Sequence, residues 1–127
     1  MAKVSSAAKA SKRCWNKSNR AYHSSYALNN RGKLVSQKRE RQRILRAAAL
    51  EMYGGKCQCK GCDVTEPEFL AFDHKRGGGR KHRSQFGGQY MFYLWLLKSR
   101  RKSMQVLCHN CNSAKGYYGR CPHEAKE

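Results

Sequence analysis

Two C-x-x-C pairs, Cys59-Lys60-Gly61-Cys62 and Cys108-His109-Asn110-Cys111, stand 45 residues apart in a chain of 127. No other feature constrains the fold as strongly. Two such turns present four thiolates tetrahedrally to Zn²⁺ at about 2.3 Å each. The pattern predicts that the segments around Cys59 and Cys108 meet in space, held by a closed structural zinc site of Cys59, Cys62, Cys108 and Cys111. Four thiolates leave no position for a reacting water, so any chemistry has to come from elsewhere. Cys57 offers a second solution, replacing Cys59 opposite Cys62 across a longer turn. Cys14, Cys57 and Cys121 otherwise read as spare thiols, with Cys121-Pro122-His123 as the alternative cap of a second metal site.

A metal staple suits a short chain. At 127 residues there is room for one small domain plus an extension, and small domains bury little core. The 27 Lys and Arg against 8 Asp and Glu give a formal charge of +19, which points to a polyanionic partner. Nucleic acid fits better than a membrane surface, because no apolar run reaches the roughly 18 residues of a spanning helix. The N-terminus also lacks a signal peptide's apolar centre, so the chain reads as cytoplasmic. In that reducing compartment paired cysteines favour metal over disulfides.

Residues 1–36 are rich in Ser, Ala, Asn and Lys and read as a flexible basic arm, too poor in apolar side chains to offset the entropy of ordering. Trp15, Tyr22 and Tyr26 within it either stack on bases or pack. From Val35 to Tyr53 good helix formers carry Ile44, Leu45, Ala48, Ala49 and Met52 at helical spacing, before Gly54-Gly55 as a stop. This basic helix, 37–53 as a unit, bears Lys38, Arg39, Arg41, Arg43 and Arg46, whose nearly unmixed sign suggests phosphate contact. A domain over 54–123 follows, with a tail at 124–127. Glu68 to Asp73 alternates as a short strand ending at Asp73-His74. A flexible basic loop, Lys75 to Arg83, contains Gly77-Gly78-Gly79 and the candidate phosphate-binding cations Lys75, Arg76, Arg80, Lys81 and Arg83. The apolar run from Gln89 to Lys98 predicts the main core helix, Met104 to Leu107 a second strand, and Asn112 to Tyr118 a short helix. The class is α+β.

Asp73 and His74 place a carboxylate and an imidazole side by side at a strand end, pointing to opposite faces if the strand is regular. Such a pair divides two tasks. The carboxylate binds a hard cation, and an imidazole with a pKa near about 6.5 takes a proton from water.

With this pair followed by Leu107-Cys108-His109-Asn110-Cys111-Asn112-Ser113-Ala114-Lys115-Gly116, the chain resembles the zinc-bearing, phage-type branch of the HNH (ββα-metal) nucleases. Gly77-Gly78-Gly79, His82-Arg83 and Tyr93-Leu94-Trp95-Leu96 are similar to such members, and the resemblance covers roughly residues 50–123. It implies a ββα-metal core preceded by the basic extension. It also implies Asp73 and Asn112 as ligands of one catalytic Mg²⁺ or Mn²⁺, and His74 as general base. His109 and Asn110 are then supporting or phosphate-contacting groups, and Lys115 and Arg120 contact the backbone near the cut. Ser103 stands where the family usually has an Asn. The implied activity is hydrolysis of double-stranded DNA to 5′-phosphate and 3′-hydroxyl ends, by a monomer or weak homodimer in a bacterial or phage-infected cell. One alternative is a non-catalytic zinc module that binds DNA or RNA, alone or as part of a larger assembly; a third reading, a ribosome-associated protein, fits the basic arm and the length but leaves the Asp73-His74 pair unexplained.

Overall fold

The structure, a computed structural model, describes residues 4–125. Residues 1–3 of the expected arm and 126–127 of the expected tail lie outside the described residues. The chain is α+β and divides into two compact units, Met1–Arg39 and Glu40–Glu127.

The first unit is helical where a flexible arm is expected: α1 spans Ser6–Ser18, α2 Arg20–Asn29, and α3 begins at Arg31 and runs to Met52. Low hydrophobicity argues against a packed core, and indeed no residue of α1 or α2 is buried. Helix hydrogen bonds are local and need no core. Ser5 caps α1, its hydroxyl accepting from the Ala8 N–H at 3.2 Å. Asn19 and Asn30 each end a helix the same way, their side-chain amides donating to the carbonyls of Trp15 and Tyr26 at 2.9 Å. Trp15 packs edge-on against His23 and remains 54% exposed.

In the second unit α3 buries only Ala49 and Leu50, with Leu45 against the same core; Ile44, expected on the apolar stripe, is exposed. Gly54 and Gly55 stop the helix at φ +97° and +65°, and the Gly55 N–H returns to the Leu50 carbonyl at 2.8 Å. A 3₁₀ turn at Pro67–Phe69 takes the start of the expected strand, so β1 is Leu70–His74. It pairs antiparallel with β2, Met104–Cys108, in the register Leu70 to Cys108 and His74 to Met104. Between the strands lie a short α4, Gly79–Arg83, inside the loop expected to be flexible, and α5, Gln89–Ser99. Phe92, Tyr93 and Leu96 of α5 are buried, and Phe72 of β1 meets the Phe92 and Tyr93 rings at 6.2 and 6.0 Å. α6, His109–Tyr118, follows β2 without a break and packs on both strands.

Arg46, expected to contact phosphate, is turned inward. Its guanidinium donates to the carbonyls of Pro67 and Leu70, both at 2.7 Å, clamping the 3₁₀ turn where β1 begins. Because both bonds are made by a charged donor, Arg46→Ala is expected to destabilise this unit by about 2 kcal/mol. Urea unfolding measures this; an unchanged midpoint would mean that the clamp carries no stability. No helix among the described residues is long and apolar enough to cross a membrane.

Candidate metal centre and active-site cleft

Three segments bring the cysteines together. Cys57, Cys59 and Cys62 lie in the loop after α3, where the Cys57 N–H donates to the Val64 carbonyl at 2.9 Å and the Cys62 N–H closes a turn on the Cys59 carbonyl at 3.2 Å. Cys108 ends β2 and Cys111 lies in the first turn of α6. The sulfurs of Cys57, Cys62, Cys108 and Cys111 lie within 4.8 Å of one another. This set contains Cys57 where the C-x-x-C spacing favours Cys59. The physical reason is the path of the loop, which aims the Cys57 sulfur at the end of β2, where it accepts from the Cys108 N–H at 3.2 Å. Cys59 lies instead with Cys111, Cys121 and His123.

The cluster fits a thiophilic ion such as zinc, and the backbone is arranged for anionic sulfur. The Cys108 sulfur caps α6 by accepting from the Cys111 N–H at 3.4 Å. Burial pushes the Cys59 thiol up to about 11 and also raises that of Cys111. Cys108 goes the other way: burial acts to raise it, but the Cys111 N–H and the neighbouring thiols outweigh that and lower it.

The second site lies at the far end of β1. Asp73, His74 and Asn112 line one cleft of about 320 Å³, together with Phe72, Gly77, Gly79, Arg80 and Arg83. Asp73 and Gln105 are register partners on one face of the sheet, and Gln105 Nε2 donates to Asp73 Oδ2 at 2.8 Å. Lys115, expected at the phosphate backbone, reaches from α6 to the same Oδ2 and to the His74 carbonyl, the latter at 2.9 Å. Its ammonium is therefore engaged by Asp73 and the His74 backbone.

His74 meets a partner that lies outside the expected set of site residues. Its Nε2 lies 2.8 Å from Nδ1 of His82, whose ring is packed edge-on against Phe86 and Trp95. Glycines make this approach possible. Gly77 and Gly78 take positive φ to turn the chain, and a Cβ at Gly79 would lie 2.9 Å from His74 Nδ1. Burial is the main cause lowering the His74 pKa, followed by the charges of His82 and Arg83; Asp73 opposes them. The neutral ring is thus favoured at pH 7. The only hint in the sequence is a second histidine shortly after three glycines.

The remaining basic residues divide by environment. Arg80 and Arg83 line the cleft, and Arg83 also donates to the Phe72 carbonyl at 3.2 Å and lies over the Phe92 ring. Lys75, Arg76 and Lys81 are exposed on the same loop; Arg39 and Arg41 are exposed on α3, and Arg43 there pairs with Glu40 at 2.7 Å. His109, Asn110 and Arg120 are exposed, and the Ser103 carbonyl accepts from the Lys75 N–H at 3.0 Å, tying the two strand ends. No family model, curated protein or solved structure matches the chain.

Proposed function

We propose that the chain is a metal-dependent nuclease of the HNH (ββα-metal) kind that hydrolyses DNA phosphodiester bonds. The observation that carries this reading is the convergence of Asp73, His74 and Asn112 in one cleft at the end of a strand pair followed directly by a helix. Carboxylate and amide oxygens are hard donors that suit Mg²⁺ or Mn²⁺, with water and substrate phosphate completing the ligand set. Such an ion, held by Asp73 and Asn112, supplies Lewis-acid stabilisation of charge on the phosphate.

His74 is the general base. In the tautomer that donates Nε2–H to His82 Nδ1, 2.8 Å away, the lone pair of His74 is on Nδ1, where it would accept a proton from the attacking water. His82 is a positioning residue that fixes this tautomer. Arg80 and the exposed Lys75, Arg76 and Lys81 supply cations for the DNA backbone.

The test is supercoiled plasmid incubated with zinc-loaded protein, with and without Mg²⁺ or Mn²⁺. Nicked or linear product only when the ion is added is expected. A second reading, a non-catalytic zinc module that binds nucleic acid, is favoured by one contact: Lys115 already neutralises Asp73. Folded protein that retards DNA but never cuts it, with either ion, would favour that module. Within the nuclease reading, Gly79→Ala brings a methyl group against His74 Nδ1. Displacing a base by about 1 Å lowers the rate about 10²-fold, and this loss is expected with little change in thermal midpoint. An unchanged rate would exclude Nδ1 as the proton acceptor.

A further inference from the structure

The cysteine cluster contains more ligands than one tetrahedral ion can use. Cys57, Cys62, Cys108 and Cys111 form one group of four, Cys59, Cys111, Cys121 and His123 a second, and Cys111 belongs to both. We propose that the cluster holds two divalent ions of the zinc class, one in each group, bridged by the Cys111 thiolate. This inference does not rest on the nuclease reading.

The distances have the dimensions of coordination tetrahedra. With Zn–S at about 2.3 Å and Zn–N at about 2.05 Å, neighbouring sulfurs of a regular tetrahedron stand about 3.8 Å apart, and sulfur and nitrogen about 3.6 Å. Cys62 and Cys108 sulfurs are 3.8 Å apart. His123 Nδ1 lies 3.5 Å from the sulfurs of both Cys111 and Cys121 and 3.7 Å from that of Cys59.

Hydrogen bonding does not account for that nitrogen. Nδ1 carries either one proton or one lone pair, whereas it faces three sulfurs at nearly equal distance. A lone pair directed at an ion among those sulfurs satisfies the geometry. Disulfides do not account for it either, since a bonded S–S pair is about 2.05 Å long and all of these cysteines are free. The shared ligand is also suitably placed. Cys111 is 1% exposed, between the two groups, so its sulfur can face both ions at once.

Charge favours the second ion as well. Six thiolates and a neutral imidazole around two divalent ions carry the same net charge as four thiolates around one. The second ion therefore recruits Cys59, Cys121 and His123 without adding net negative charge to a buried site. It also has a structural task. After α6 ends at Tyr118, it ties the segment Cys121–His123 back to the loop of Cys59 and Gly61; a Cβ at Gly61 would lie 3.7 Å from His123 Cβ.

The full chain, loaded with Zn²⁺ and exchanged into metal-free buffer, is expected to retain two zinc ions per molecule by native mass spectrometry and elemental analysis. Folded protein retaining one would overturn the proposal. His123→Ala is expected to lower the count from two to one; a variant that still retained two would remove His123 from the second site. If that variant does not fold, the unaltered chain loaded with ¹¹³Cd²⁺ keeps the question open to test. Two cadmium resonances, in all-sulfur and sulfur–nitrogen environments, are expected to split each other through the Cys111 sulfur. Two unsplit resonances would overturn the bridge.

Discussion

Replacing His74 with alanine is expected to lower plasmid cleavage by about 10²- to 10⁴-fold, the range spanned by a positioned general base, while DNA binding is kept. Binding should survive because burial and surrounding cations favour the neutral form of His74, so the substitution removes little positive charge at pH 7. The exposed cations Lys75, Arg76 and Lys81 remain untouched. The fold should survive too: His74 is only half-buried at the strand end, and its ring contacts are with His82 rather than with the Leu96 and Val106 centre of the core. The comparison is made at matched zinc content and matched circular dichroism, with Mg²⁺ or Mn²⁺ present. Equal rates for the variant and the unaltered chain would remove His74 from the mechanism. A parallel loss of DNA retardation would instead assign it to binding.

Stripping metal from the cysteine cluster is expected to unfold the Glu40–Glu127 unit rather than merely loosen it. Among the described residues, five of the 15 buried hydrophobic ones are cysteines, so much of the interior is thiol. Structural zinc contributes about 10 kcal/mol or more of apparent folding free energy, against a total stability of about 5–15 kcal/mol for an ordinary domain. The cluster also joins three parts of the chain: the loop after α3, the β2–α6 junction and the segment after α6. A thiol-competent chelator added to the folded protein should therefore abolish the cooperative thermal transition. Trp95, half-buried beside Phe92, should shift its emission to the red, whereas Trp15 is already exposed. Far-ultraviolet helix signal from α1 and α2 should fall less, since neither helix buries a residue. A metal-free protein with the same thermal midpoint would show that the core stands without the cluster.

Much of the second unit was legible in the sequence because its signals are local. The apolar run at Gln89–Ser99, the Gly54-Gly55 stop and the short strands at β1 and β2 follow from periodicity and backbone preference. The first unit departs from a flexible arm for a related reason. Its composition correctly excluded a core, but Ser5, Asn19 and Asn30 cap helices through bonds within a few residues, which do not require burial. A scarcity of apolar residues says little about such helices.

By itself the sequence determined that cysteines near Cys59 and Cys108 would gather, and that Asp73 and His74 would stand together at a strand end, since spacing and adjacency are covalent facts. Tertiary structure alone decided which cysteines share a group, because Cys57 and Cys59 are equally near Cys62 along the chain to within a turn and differ only in where the loop aims each sulfur. It alone decided that Arg46 and Lys115 turn inward: a cation's partner is chosen by the carbonyls and carboxylates that folding brings within about 3 Å, a distance at which hydrogen bonds form. The same holds for His82: Gly77 and Gly78 permit the turn and Gly79 leaves room for the His74 ring, but it is packing against Phe86 and Trp95 that sets the His82 ring beside His74.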